Sequence, residues 1–163
     1  MIYTTIDSPV GELLLAGDGS RLSVLSFLGP GARRQVTPNS AWRRDDGSFG
    51  SVRAQLDEYF AGSRKSFDTD LDLRGTEWEL GVWQALVRIP YGETRSYGEI
   101  AREVCTVRAA RAVGLANGRN PVAIIVPCHR VVGADGRLTG FGGGLDRKRS
   151  LLDLEAGRLA LAE

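Results

Sequence analysis

The segment Ile124-Ile125-Val126-Pro127-Cys128-His129-Arg130-Val131 sets a thiol directly beside the only histidine of the chain, at the end of an apolar run. The thiolate is the nucleophilic form of cysteine, and a neighbouring imidazole is the usual means of generating one near neutral pH. Adjacent side chains on a strand point to opposite faces, so a Cys128–His129 pair that cooperates needs a turn or a helix start at this point. Pro127 supplies the break, and a thiol at a helix N-terminus would have a lowered pKa. Taken singly, the candidate residues also have plain explanations. Free cysteines are mostly buried small hydrophobes, Arg111 fits a surface helix charge, and Asn120 before Pro121 fits turn chemistry. Glu155 fits a solvent-facing residue on a last helical turn, where a cation would suit the helix dipole better. The glycines at 142–144 fit a hairpin loop and lack the spacing of a phosphate loop.

Those residues must be positioned by a chain of 163 residues, enough for one core or a small lobe packed on a larger one. Composition, at 42% hydrophobic and 25% charged, is that of a soluble globular protein. No apolar run reaches the roughly 18 residues of a membrane span, and the N-terminus lacks the basic and apolar regions of a secretory signal. The two cysteines, Cys105 and Cys128, are expected to stay reduced in a cytoplasmic setting. With one His they cannot supply four ligands to a closed zinc site, so no metal is expected. Charge is uneven along the chain. Residues 1–89 carry ten Lys/Arg against twelve Asp/Glu, 90–150 ten against five, and 151–163 one against three. A basic middle segment between acidic ends is a modest footprint for a polyanion.

Short runs of β-branched and apolar residues at 2–6, 12–16 and 21–28, separated by turn signals, predict a small antiparallel sheet. Residues 29–47 read as a long loop. Helical spacing predicts a helix over 48–60 with Gly62 as its stop, then a strand fragment and a linker over 63–75. Thr76–Glu79 and Ser96–Glu99 are capping boxes. They open one helix that carries Trp78, Val82, Trp83, Leu86 and Val87 and another that ends at Val104. A third helix over 108–117 places Arg108 and Arg111 at i, i+3, the outline of a helix-turn-helix. A last helix over 146–155 carries Leu151, Leu152 and Leu154.

Taken together, these motifs resemble the O6-alkylguanine-DNA alkyltransferase family. Pro127-Cys128-His129-Arg130-Val131 is similar to its PCHRV signature, Tyr91–Tyr97 to its YGE-x-x-SY segment, and Ala109–Gly114 to its A-x-RAVG recognition helix. Asn120-Pro121, Gly140–Leu145, Leu151-Leu152 and Glu155 follow in the family's order, and the likeness covers about residues 76–156. The fold it implies is α+β. A small N-terminal antiparallel-sheet, ribonuclease H-like domain over 1–75 would precede a helical winged helix-turn-helix domain over 76–163. The activity it implies is direct-reversal repair: irreversible transfer of a methyl or larger alkyl group from O6 of guanine, with O4 of thymine a further candidate, onto Cys128. His129 would take the thiol proton through a water, Glu155 would orient the imidazole, Asn120 would support the cysteine loop, and Tyr97 would sit at the target nucleotide. Arg111 would fill the gap left by an extruded base. The small residues Ala109, Ala110, Ala112 and Gly114, with Arg108, would let the helix sit close in the minor groove. Phe141, Gly142, Gly143 and Val131 would form the base pocket. The implied partner is double-stranded DNA carrying O6-alkylguanine, bound with little sequence preference by a monomer that can cluster on DNA, with no cofactor. A rival from another class is a non-catalytic winged-helix sensor of alkylated DNA; the family's lesion-binding relatives replace the acceptor cysteine. The turn Val104-Cys105-Thr106-Val107 lacks the family's Gly and Pro, and Cys105 is expected there as a packing residue.

Overall fold

The computed structural model describes residues 1–158; residues 159–163, the end of the expected second domain, lie outside the described residues. Ile2–Ile6 (β1), Leu13–Gly17 (β2) and Leu22–Phe27 (β3) form an antiparallel meander, with Ile2 opposite Gly17 and Leu13 opposite Phe27. β2 is buried along its whole length because both faces of the sheet are covered. Leu13 and Leu15 enter the main core, whereas Leu14 and Ala16 join Val24 in a second, smaller cluster under Tyr3, Val36 and Trp42. That second face explains why residues 29–47 are more than a loop. Val36 and Trp42 cover apolar surface, and Arg43–Arg44 (β4) adds a parallel edge strand to β1. The sheet order is β3-β2-β1-β4. The small antiparallel sheet expected from the sequence is thus present, with a parallel edge strand added where two residues are too few to show a period.

The outer edge of β3 is not left free. Leu22 bridges Leu71 and Leu25 bridges Val122, both in parallel sense, through Leu25 N–H to the Pro121 carbonyl at 2.9 Å and Ala123 N–H to the Leu25 carbonyl at 3.0 Å. Covering an edge prevents stray pairing. Here it also ties the chain just before Cys128 to the N-terminal sheet. Gly50–Phe60 (α1) packs Val52, Leu56, Tyr59 and Phe60 into the same core.

Glu77–Val87 (α2) and Tyr97–Val104 (α3) begin at the expected capping boxes, with both reciprocal hydrogen bonds formed at Thr76/Glu79 and Ser96/Glu99. Val87, expected on the apolar face, is exposed; it lies beyond the buried arc of Val82, Trp83 and Leu86. Ala110–Gly118 (α4) follows a 3-10 turn over Val107–Ala109, so the third helix starts later than residue 108. Two indole N–H groups of α2 hold it, Trp78 to the Ala112 carbonyl at 3.3 Å and Trp83 to the Ala116 carbonyl at 2.9 Å. Cys105 is exposed, which corrects its reading as a packing residue. It caps α3 in an irregular conformation (φ −159°, ψ −96°) that turns the chain outward, while Val104 packs against the core. Arg95–Ser96 (β5) and Val131–Val132 (β6) pair in parallel, and Leu145–Glu155 (α5) closes the described chain. No described helix is long and apolar enough to cross a membrane.

The glycine-rich loop before α5 docks on the N-terminal half. Gly144 has φ +92° and ψ 155°, a region closed to residues with a side chain, and a Cβ there would lie 2.4 Å from the Gly31 carbonyl oxygen. Gly144→Ala is expected to cost about 2–3 kcal/mol, a fall of roughly 4–10 °C in Tm for a chain of this size. Thermal unfolding checks this, and an unchanged Tm would show that the loop is not docked.

Candidate active site

Residues 120–127 form a tight loop that delivers Cys128. The Asn120 side-chain amide donates to the Val126 carbonyl at 2.7 Å and its oxygen accepts from Val122 N–H at 3.0 Å, closing the loop across its base. Ile124 is held at φ +71°, an outlier for a β-branched residue and the kind of strain a functional loop stores. Cys128 then opens a 3-10 turn that ends at Arg130. The expectation of a thiol acidified by a helix N-terminus is corrected. Three residues of 3-10 turn align too few amides, and burial pushes the Cys128 thiol up from its ordinary value. The hydrogen bond from Asn120 and the charge of Lys148 oppose that shift without cancelling it.

His129 does not touch the thiol through the nitrogen it uses elsewhere. Its Nε2 lies 2.6 Å from Glu155 Oε2, and both side chains are buried. The same carboxylate oxygen accepts from the Tyr59 hydroxyl at 2.6 Å and from Arg130 at 3.2 Å, while Oε1 accepts from Arg130 Nε at 2.7 Å. Burial would raise the Glu155 pKa, yet the hydrogen bonds and charges of His129 and Arg130 hold it well below the usual carboxylate range. Burial lowers the His129 pKa, outweighing the pull of Glu155. A neutral imidazole beside an ionised carboxylate must donate Nε2–H to it, which leaves the Nδ1 lone pair free. Nδ1 is buried and has no hydrogen-bond partner. It is an available base.

Around this pair lies the rest of the expected set. A cavity of about 60 Å³ beside Cys128 is lined by Asn117, Asn120, Phe141, Gly142 and Gly143 from the C-terminal half, and by Phe27 and Arg34 from the N-terminal half. A Cβ on Gly143 would lie 2.7 Å from the Phe27 ring and 2.9 Å from that of Phe141, so the wall closes only with glycine there. Val131 is fully buried in β6 and is not among the lining residues, nor is Tyr97. Tyr97 opens α3, accepts a hydrogen bond from the Thr139 hydroxyl at 2.9 Å, and lies against Gly114. Arg108, Arg111 and Ala112 are exposed, whereas Ala109, Ala110 and Gly114 are half-buried. Asn117, Phe27 and Arg34 were not foreseen in the cavity wall, nor were three further participants. Tyr59 comes from α1, Arg130 was only a letter of the motif, and Lys148 is wholly buried with its ammonium 3.0 Å from the Thr139 carbonyl. Burial brings the Lys148 pKa down to about 8. Among the described residues, no group of three or more His, Cys, Asp or Glu side chains could hold a metal ion.

Comparison with known proteins covers nearly the whole chain. Residues 1–73 match the family model described as 6-O-methylguanine DNA methyltransferase, ribonuclease-like domain, and residues 77–157 match that family's DNA binding domain. The chain is 57% identical over 156 residues to the methylated-DNA–protein-cysteine methyltransferase of Mycobacterium tuberculosis, covering 96% of this chain and 93% of the relative. It is 52% identical over 155 residues to the protein of that name from Methanosarcina acetivorans, covering 95% and 98%. Its structure is similar to that of M. tuberculosis OGT in complex with DNA, with a TM-score of 0.90 and coverage of 97% and 94%.

Because His129 is the only histidine, its titration can be followed directly by NMR. Burial places its midpoint below the ordinary value. Tyr59→Phe removes one donor from the Glu155 oxygen that His129 also contacts. The carboxylate charge is then less satisfied and favours the imidazolium, so the His129 pKa is expected to rise toward its ordinary value. An unmoved midpoint in a folded Tyr59→Phe protein would show that the phenol does not act on the pair.

Proposed function

The chain belongs to the 6-O-methylguanine DNA methyltransferase family, and we propose that it repairs DNA by moving an alkyl group from O6 of guanine irreversibly onto Cys128. It is a methylated-DNA–protein-cysteine methyltransferase, and each molecule acts once. The observation that carries the reading to particular residues is the buried thiol adjacent in sequence to an imidazole whose Nε2 is held by Glu155 and whose Nδ1 is buried and unpartnered.

In this mechanism His129 Nδ1 takes the thiol proton through a water, and the imidazolium is stabilised by the ionised Glu155. Cys128 Sγ attacks the alkyl carbon. The S–C bond forms as the C–O6 bond breaks, its electron pair staying on O6, and the departing guanine takes a proton that Tyr97 donates. Asn120 holds the nucleophile's loop. Phe141, Gly142 and Gly143 form the pocket wall, and Val131 supports it from β6. The thioether formed has no leaving group that water could displace under these conditions, so the thiol is consumed.

DNA is the partner, and the finer reading is that α4 enters the minor groove. Arg111 would occupy the space of the extruded nucleotide, with Arg108 on the backbone and the small residues Ala110, Ala112 and Gly114 permitting close approach. The exposure of Arg108 and Arg111 beside half-buried Ala110 and Gly114 supports this. The division at residue 75/76 belongs to the same proposal, supported by the change from sheet to helices at the Thr76 cap. So do a monomer in free solution and clustering on DNA, which rest on the family resemblance, and a cytoplasmic setting, which rests on the two cysteines read as reduced. The non-catalytic sensor is disfavoured, because a sensor has no use for a thiol with an unpartnered base beside it.

Incubation with a duplex containing one O6-methylguanine is expected to add a single methyl to the protein's mass, located on Cys128 by peptide mapping, and to leave guanine in the DNA. Cys128→Ala should bind the duplex and gain nothing. An unmodified wild-type protein with the lesion intact would sink the reading in favour of a sensor. Arg111→Ala should slow transfer from a duplex by roughly tenfold to a hundredfold, since extrusion of a paired base costs a few kcal/mol, and should slow transfer from a single strand much less.

A further inference from the structure

The guanidinium of Arg147, in the first turn of α5, donates to three main-chain carbonyls from three separate segments. Nε reaches Val10 at 2.6 Å, Nη1 reaches Gly143 at 2.9 Å and Nη2 reaches Leu28 at 3.1 Å. The side chain sits in a slot made for it. Gly11 has φ +99°, and a Cβ there would lie 2.8 Å from Nη2. A planar fork with donors in fixed directions suits such a set of acceptors, which a single ammonium could not reach together. The guanidinium carbon also lies 5.6 Å from the centroid of the Phe27 ring. None of these hydrogen bonds goes to Cys128, His129 or Glu155, and Arg147 is not among the residues lining the cavity beside the thiol.

What Arg147 holds, however, is the wall of that cavity. Phe27 and Phe141 both line it, with ring centroids 5.4 Å apart and planes tilted by 60°. Arg147 fixes each ring by a different route. Phe27 lies under the guanidinium. Phe141 is reached through the glycine loop. A trans peptide sets its carbonyl and its amide on opposite sides. Holding the Gly143 carbonyl on Nη1 therefore turns the Gly144 amide the other way, where it donates to the Phe141 carbonyl at 2.9 Å. The preceding carbonyl, of Gly142, accepts from the Arg33 and Arg34 amides at 2.7 and 2.9 Å, so two successive peptides of the loop are fixed. A flat ring is held productively only while its walls keep their separation, and a displacement of about 1 Å is enough to lose much of the rate. We propose that Arg147 is a positioning residue that sets the Phe27–Phe141 wall for the extruded guanine, linking the N-terminal sheet to the glycine loop without touching the base. This rests on the reading of Cys128 as the alkyl acceptor and of this cavity as its base pocket.

The test measures three quantities in the wild type, Arg147→Lys and Arg147→Met: the second-order rate of transfer from a duplex bearing O6-methylguanine, the rate at which methyl iodide alkylates Cys128, and the affinity for an undamaged duplex of the same sequence. Methyl iodide needs the thiol and its base but presents no ring to be held, since iodide is its leaving group. Arg147→Met is expected to slow transfer by roughly tenfold or more, the range of one hydrogen bond to a charged group. Arg147→Lys, which keeps the charge and reaches one carbonyl, should fall between it and the wild type, and it keeps the test available where methionine does not fold. The methyl iodide rate and the affinity for undamaged DNA are expected to stay at the wild-type values in both. Unchanged transfer in the variants overturns the inference. So does a methyl iodide rate that falls in step with transfer, which would place the effect on the thiol, and so does an equal loss of affinity for undamaged DNA, which would place it on the DNA-binding surface. Failure of the wild type to take a methyl from O6-methylguanine onto Cys128 would instead overturn the underlying reading, so the two failures are distinguishable.

Discussion

The buried carboxylate of Glu155 is the constraint on which the rest of the molecule depends. A charge in the interior survives only if its neighbours replace the water it has lost. Here the neighbours come from distant parts of the chain: Tyr59 from α1, Gly92 from the loop after α2, and His129 and Arg130 from the turn that carries Cys128. Glu155 itself ends α5, where the helix dipole is unfavourable to an anion. The Arg130 guanidinium, bonded to both carboxylate oxygens and to the Ile89 carbonyl, offsets that. One ion therefore fixes the positions of two helices, a turn and an interhelical loop, and its cost is the reason they are held so closely.

The same arrangement explains why the N-terminal half belongs to the site, although Cys128 and His129 lie in the other half. Tyr59 contributes a hydroxyl to the carboxylate, β3 clamps the strand-like stretch before Cys128, and Phe27 and Arg34 line the cavity. Arg34 also donates to the Gly118 carbonyl at 2.6 Å, next to the end of α4. A fragment holding only the motif would have the right residues with the wrong support, because each of these contacts spans a large separation in sequence.

This division sets what the sequence makes legible. The local signals are all present: the capping boxes at Thr76 and Ser96, the three-stranded meander, and the motif that joins Cys128 to His129. Glu155 and Asn120 were legible through the family's order of motifs, not through their own surroundings, which read as an exposed helix end and a turn. Tyr59, Lys148 and Asn117 carried no signal. Each sits at an ordinary apolar-face or helix-end position, and its role arises only from a partner 96, 9 or 11 residues away. β4 was lost for a related reason, since pairing over two residues leaves no period to detect. Cys105 misled because cysteine is usually buried, whereas the irregular cap of α3 turns this one outward.

The corrected pKa of Cys128 fits a nucleophile used once better than an acidified thiol would. A thiolate standing ready at neutral pH is also the form that oxidants and unrelated electrophiles attack. An enzyme with turnover can tolerate a reactive thiol by repairing or replacing the rare lost molecule, but here every stray reaction removes one unit of capacity. Burial keeps Cys128 protonated at rest. The means of ionising it are held apart from it: an unpartnered Nδ1 on one side and, on another, a buried lysine whose charge favours the thiolate. Neither suffices alone against desolvation. Ionisation then becomes favourable only as the sulfur's electrons move onto an alkyl carbon, when the negative charge passes to guanine O6 and is quenched there by a proton. The site stores a thiol and spends a thiolate, and the energy that separates the two is the burial that Glu155 and its donors make possible.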